Sequence, residues 1–287
     1  MALMFRRMVV VGVGLIGASL ALDARKRGLV EEIVGVGRGE ENLKYAQRQG
    51  IIDRYVTAET DIPKDTDLLM MATPVGTTVA LAKAFLPVLR PGCIVSDVGS
   101  VKAEIVRGME QLLPSTIRFV GGHPIAGGEQ WGARAARAGL FAHHRCILTP
   151  TKRTDSAALR KVASLWRKLG AKVELMDPET HDRILGVISH LPHVLVYALV
   201  NTLMRTQVRG VDLKSYCAGG FKDFTRIASS RPELWRDICL MNRRAVGQSL
   251  GRYIENLERL KRWIEDGKGS LLEREFAQAN QTRAEIA

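Results

Sequence analysis

MVVVGVGLIGASLAL, residues Met8 to Leu22, begins as a short apolar strand, Met8–Val11, and passes through Gly12-x-Gly14-x-x-Gly17 into a helix-forming stretch. A dinucleotide requires that order for steric reasons. Gly12 permits the tight turn, and Gly14 lets backbone N–H groups approach the pyrophosphate. Gly17 lets the helix lie close on its strand, with the phosphates at the helix N-terminus. Leu15 and Ile16 open that helix and belong to the same expected cofactor cradle. The glycine spacing alone is common, but here it stands in the strand–turn–helix context that the motif needs.

Arg6 and Arg7 ahead of an apolar run also fit the start of a secretory signal peptide. Three glycines at fingerprint spacing weaken that alternative, and no A-x-A cleavage site follows. The run is also too short to cross a bilayer, which needs roughly 20 apolar residues.

The chain has 287 residues, 46% of them hydrophobic and 25% charged, which suits a soluble globular protein of two domains. Cys93, Cys146, Cys217 and Cys239 are scattered without C-x-x-C spacing. Reduced thiols in a cytoplasmic protein are therefore expected, with no disulfide framework and no structural zinc. The net charge of +12 is spread over the sequence, and the longest basic run is Arg25-Lys26-Arg27. Without aromatic interleaving or a basic tail, it reads as a solvated surface with pockets for anions, not as a nucleic-acid face.

Further strands are expected at Glu32–Val36, Asp67–Ala72, Cys93–Ser96 and Arg118–Gly121, with helices at Glu40–Gln49, Thr77–Leu89 and Val101–Leu113 between them. That alternation predicts a doubly wound parallel sheet. Arg145–Leu148, the helix Asp155–Leu169 and the strand Lys172–Leu175 are expected to extend the same layer. After Pro178 strand signals stop, and His181–Val200, Pro232–Arg244 and Val246–Ile264 carry helix-spaced apolar residues. The expected division is 1–176 for a dinucleotide-binding domain and 177–287 for a helical domain.

Ligands of an open α/β sheet bind outside the carboxyl ends of the strands. Thr73 and Pro74 follow one such end, Asp97-Val-Gly-Ser100-Val-Lys102 another, and Gly121-Gly-His123-Pro-Ile-Ala-Gly127 a third. His123, held between glycines and proline, suits a general base, since an unperturbed histidine titrates near pH 6.5; the alternative is a residue capping its turn. Ser100 is a candidate for the same site or the N-cap of the next helix. The helical half adds Ser189-His190-Leu-Pro-His193 and Gly219-Gly-Phe-Lys222-Asp-Phe-Thr-Arg226. One helical face could carry both histidines, although Pro192 should distort that turn. A metal site needs more ligands than the sequence assembles there. Arg226 offers a planar fork for a carboxylate, either a ligand's or a structural partner's.

Taken together, the fingerprint and the blocks Asp97–Lys102, Gly121–Gly127, Ser189–His193 and Gly219–Arg226 resemble the prephenate/arogenate dehydrogenases of tyrosine biosynthesis, in order from Met8 to about Ile264. The resemblance implies a Rossmann-type N-terminal domain, an all-helical domain that forms a homodimer, and an active site between them. His123 then corresponds to the catalytic histidine and Ser100 to the serine near the substrate hydroxyl. His193 and Ser189 fall on the substrate side, and Arg226 corresponds to the arginine that holds a substrate carboxylate. The implied reaction removes hydride from C4 of a cyclohexadienyl acid, prephenate or arogenate, while CO2 departs from C1 and the ring becomes a phenol.

One departure concerns the cofactor. The second strand runs into Gly35-Val-Gly37-Arg38, where an acid would hold the ribose 2′-hydroxyl of NAD. Arg38 suits the 2′-phosphate of NADP, and Glu40 and Glu41 nearby oppose it. NADP used at least as well as NAD is the expectation. Two competing classes are a β-hydroxyacid-type dehydrogenase, for which Lys222 is the candidate catalytic lysine, and a non-enzymatic dinucleotide sensor.

Overall fold

The computed structural model describes residues 3–286. β1 (Phe5–Val11) is a central strand. Met8 and Val10 point into one apolar cluster and Val9 and Val11 into another, the period of two that a strand buried on both faces produces. It pairs in parallel with β2 (Val30–Val36) on one side and β4 (Leu68–Met71) on the other. β3 (Arg54–Val56), β5 (Ile94–Asp97) and β6 (Arg118–Val120) complete a six-stranded parallel sheet of order β3-β2-β1-β4-β5-β6. This is the doubly wound order with its switch point between β1 and β4.

The crossovers are α1 (Leu15–Lys26), α2 (Glu40–Arg48), α3 (Thr78–Phe85) and α4 (Ala103–Leu112). The expected helix over Thr77–Leu89 ends early, at Phe85, and a 3-10 turn containing Pro87 follows. β3 carries too few residues to stand out in the sequence pattern.

The later strands do not extend the main layer. β7 (Gly122–Pro124), β8 (Arg145–Leu148) and β9 (Lys172–Leu175) form their own sheet, with β7 and β8 antiparallel and β8 and β9 parallel. α5 (Ser156–Lys168) precedes β9 and is capped by Asp155, which accepts the Ala158 N–H at 2.7 Å. The break falls at Gly121, where the chain leaves β6 and turns into β7. His123 is thereby set into a strand opposite Ile147, not into a turn.

Strands end at Leu175. Asp177 then caps α6 (Pro178–Leu185) through the Thr180 N–H, with Pro178 at the first helical position. A π-helical turn, Gly186–His190, joins α6 to α7 (Leu191–Arg205), and Pro192 stands directly after it. α8 (Gly219–Thr225), α9 (Pro232–Met241), α10 (Arg243–Glu265) and α11 (Gly269–Glu285) follow. α9 packs against the turn after β4 so tightly that a Cβ on Gly76 would stand 2.8 Å from an Asp237 carboxylate oxygen.

Candidate active site

Gly12 sits at the carboxyl end of β1 with φ +93°, and a Cβ there would strike the Ala72 carbonyl. A Cβ on Gly17 would strike the Gly12 carbonyl, so both glycines are needed for the close approach of helix and strand. Around the Cβ position of Gly14, the N-cap of α1, the space is open. This is the cradle a diphosphate would fill, with the N–H groups of Leu15 and Ile16 opening the helix behind it. Thr73 lies beside Gly12, and its hydroxyl is buried without a hydrogen-bond partner. Pro74 stands exposed in the same turn. These residues fit a dinucleotide. Arg38 is exposed just beyond β2 and makes no ion pair among the described residues. Glu40 is engaged instead by Lys44 at 3.2 Å and by the Tyr55 hydroxyl at 3.1 Å.

His123 is 8% exposed, and its Nδ1 lies 2.8 Å from Nε2 of His181 on α6. His181 Nδ1 lies 2.8 Å from Oδ1 of Asp182. The same carboxylate accepts the backbone N–H groups of Lys102 and Ala103, at 2.8 and 2.9 Å, at the start of α4. Ser100, half-buried, therefore does not cap α4; Asp182 does, from the other half of the chain.

Lys102 is fully buried, and its ammonium pairs with Asp97 and donates to the Gly122 carbonyl at 2.8 Å. Burial pushes the Lys102 pKa down, against the opposing pull of Asp97. Burial also drives His123 well below the ordinary histidine range, and His181, Lys102 and His190 add to that. The expectation of a group titrating near pH 6.5 is thus corrected, because the His123 ring is buried in the core.

His190 is buried, accepts the Asn242 amide N–H at Nδ1 (3.0 Å), and is pushed down by burial to about 4. Its Nε2 is enclosed without a hydrogen-bond partner and lies beside the Ser100 backbone. His193 donates from Nδ1 to the Ser189 carbonyl at 2.9 Å and stacks on Trp235, ring centroids 3.4 Å apart. Both histidines therefore meet Trp235, and no metal-ligating group of three gathers among the described residues. Arg226 pairs with Glu129, which reaches it from the loop after β7, and both charges act on His193. Lys222 is exposed on α8.

His190 thus lies close to His123 and the Ser100 backbone, His193 lies close to Arg226 and Glu129, and Trp235 meets both His190 and His193. Lys102, His181, Asp182, Asn242 and Trp235 carry no role in the motif reading. Lys102 lies inside a quoted motif, and the Asp-Pro helix start at Asp177 marks where His181 and Asp182 begin a helix. Their meeting with His123, 58 residues earlier than His181, leaves no local signature.

Models described as the nucleotide-binding domain and the dimerization domain of prephenate dehydrogenase match residues 20–175 and 177–278. The chain belongs to the prephenate dehydrogenase family. It is 34% identical over 273 residues to the prephenate dehydrogenase of Bacillus subtilis (strain 168), covering 95% of this chain and 74% of that one. The crystal structure of A. aeolicus prephenate dehydrogenase, in complex with hydroxyphenyl propionate and NAD+, superposes with a TM-score of 0.94 at 38% identity, covering both chains fully. Synechocystis arogenate dehydrogenase superposes with a TM-score of 0.81 at 32% identity, covering 98% of this chain and all of that one. In this family frame, the six-stranded sheet is the nucleotide-binding half and the helices after Pro178 are the dimerization half.

Proposed function

We propose that this family member oxidatively decarboxylates prephenate to 4-hydroxyphenylpyruvate with NAD(P)+, residues 1–176 holding the dinucleotide and 177–287 completing the substrate site and the dimer. The observation that carries this reading is His123, 8% exposed and held well below the ordinary histidine range by burial, its Nδ1 tied to His181. A nicotinamide held by the Gly12–Gly17 turn would supply the hydride acceptor for C4. His123 draws the C4 hydroxyl proton as positive charge develops on that oxygen. The C1–CO2 bond breaks, its electron pair enters the ring, and the proton returns to oxygen as the phenol forms. Arg226 orients the substrate through a carboxylate, and Ser100 and His193 supply hydrogen bonds at the hydroxyl and side-chain ends.

For the cofactor, unpaired Arg38 supports NADP used at least as well as NAD, since Glu40 is occupied by Lys44 and Tyr55. The four free cysteines fit a reducing, cytoplasmic setting. The ligands expected are small molecules, with neither nucleic acid nor membrane involved.

A second reading, arogenate dehydrogenase giving tyrosine directly, has one observation in its favour. The Glu129 carboxylate beside Arg226 and His193 suits the ammonium group of an alanyl side chain. A β-hydroxyacid dehydrogenase would need a lysine at the reacting centre, and Lys222, exposed on α8, makes no hydrogen bond to His123 or Ser100 among the described residues. Purified protein assayed with prephenate and arogenate, each with NAD+ and NADP+, tests all of this. Turnover of prephenate is expected, and no turnover of either acid with either cofactor would overturn the assignment.

A further inference from the structure

We propose that His181 and Asp182 are positioning residues that hold His123 as the Nδ1–H tautomer, so that its bare Nε2 faces the substrate hydroxyl. This rests on the reading of His123 as the base.

Asp182 accepts two backbone N–H groups at the N-terminus of α4, where the helix dipole favours an anion. A carboxylate so held has no proton to give, so the 2.8 Å contact with His181 requires a proton on His181 Nδ1. His181 is fully buried, and burial lowers its pKa below the ordinary histidine value, against the opposing pull of Asp182, and so favours the neutral ring. Its Nε2 then carries a lone pair. The 2.8 Å contact between that atom and His123 leaves one donor, the His123 Nδ1–H. Neutral His123 therefore has no proton on Nε2, the nitrogen that makes no hydrogen bond within the protein among the described residues.

The chain of bonds also acts during the reaction. As the substrate hydroxyl proton moves toward Nε2, His123 gains positive charge. The Nδ1–H bond to His181 strengthens, and Asp182 supplies the compensating negative charge at the far end. Within the relay no N–H bond breaks: the His123 and His181 Nδ1–H bonds stay in place, and the proton taken from the substrate hydroxyl returns by the same path. The three side chains come from β7 and α6, with the carboxylate anchored on α4, so the helical half sets the tautomer of a base carried by the strand half.

Heteronuclear NMR of isotope-labelled histidine rings in the full-length enzyme with NAD+ reads the tautomers directly, with His123→Asn and His181→Gln assigning the signals. His123 and His181 are both expected as Nδ1–H, and an Nε2–H form of His123 in the wild type would overturn the proposal. His181→Leu removes the acceptor. It should move His123 toward the Nε2–H form and lower kcat by about 10²-fold, with KM for acid and cofactor within about threefold. His181→Gln returns an acceptor near the Nε2 position and should recover at least about tenfold of that loss. A His181→Leu enzyme with wild-type kcat and an unchanged His123 tautomer would equally overturn it. If that variant does not fold, the wild-type tautomer and the His181→Gln kinetics decide. Turnover of a cyclohexadienyl acid by an enzyme with Nε2–H His123 would sink the relay and leave the function standing; absence of turnover would sink the function, with the tautomers still deciding the relay.

Discussion

The base role proposed for His123 depends on surroundings that keep it neutral. Burial, with His181 and the Lys102 ammonium nearby, holds its pKa well below the ordinary value of about 6.5. A base must be unprotonated to act, so lowering its pKa extends activity toward acid. The kcat/KM profile should therefore show no acid limb centred near about pH 6.5, where an exposed histidine would be half protonated. His123→Asn keeps approximate size but cannot take the proton; kcat should fall about 10²–10⁴-fold with cofactor affinity nearly unchanged. Near-normal kcat in that variant would remove His123 from the mechanism. Arg38 is the other residue whose isolation matters. Arg38→Ala should weaken NADP binding by about 1–3 kcal/mol and leave NAD almost untouched, as read by cofactor titration. Equal losses for both would show that Arg38 does not touch the 2′ position.

Elements meet at the site through a few buried polar pins. Lys102 ties β5, through Asp97, to β7, through the Gly122 carbonyl next to His123. Lys102→Met leaves Asp97 charged and enclosed, which should cost about 3–5 kcal/mol in a urea unfolding curve. Asp97 also accepts the Gly99 and Gly122 N–H groups, at 2.8 and 3.1 Å. A loss below about 1 kcal/mol would mean that those two donors satisfy it alone. Such pins separate what the sequence reveals from what it hides. The glycine turn, the strand ends and His123 are legible because each rests on residues adjacent in the chain. The second sheet is not legible, because β7, β8 and β9 have the same apolar pattern as the main layer and differ only in what they pair with. The π turn before Pro192 is foreshadowed by the proline alone. Asp182 as the cap of α4 depends on a contact 80 residues away, beyond any local periodicity.

At the scale of the molecule, the two halves are unequal in core. The sheet half encloses two apolar clusters, whereas after Pro178 the buried hydrophobics among the described residues are only Leu185, Leu191, Val196, Ile238, Ala245 and Val246. Met204, Leu257, Ile264 and Phe276 stand 47–63% exposed on α7, α10 and α11. Pro178–Arg205 is even long and apolar enough to cross a membrane by length and composition, with 22% of its most apolar stretch buried in the protomer. The family's dimerization domain covers this region, and the apolar faces of α7 and α10 (Leu195, Leu199 and Leu203; Leu257, Leu260 and Ile264) are those the sequence pattern marks as too broad for one protomer. A second copy packed with C2 symmetry removes that surface from water, at roughly 25 cal/mol per Å² of apolar area. Light scattering at micromolar concentration should give twice the chain mass, and the unfolding temperature should rise with protein concentration. Leu257→Glu and Ile264→Glu change side chains that are exposed in the protomer, so they should weaken association while leaving the sheet half folded. A wild-type chain that stays monomeric with a concentration-independent unfolding temperature would mean that the helices are stable with these faces in water.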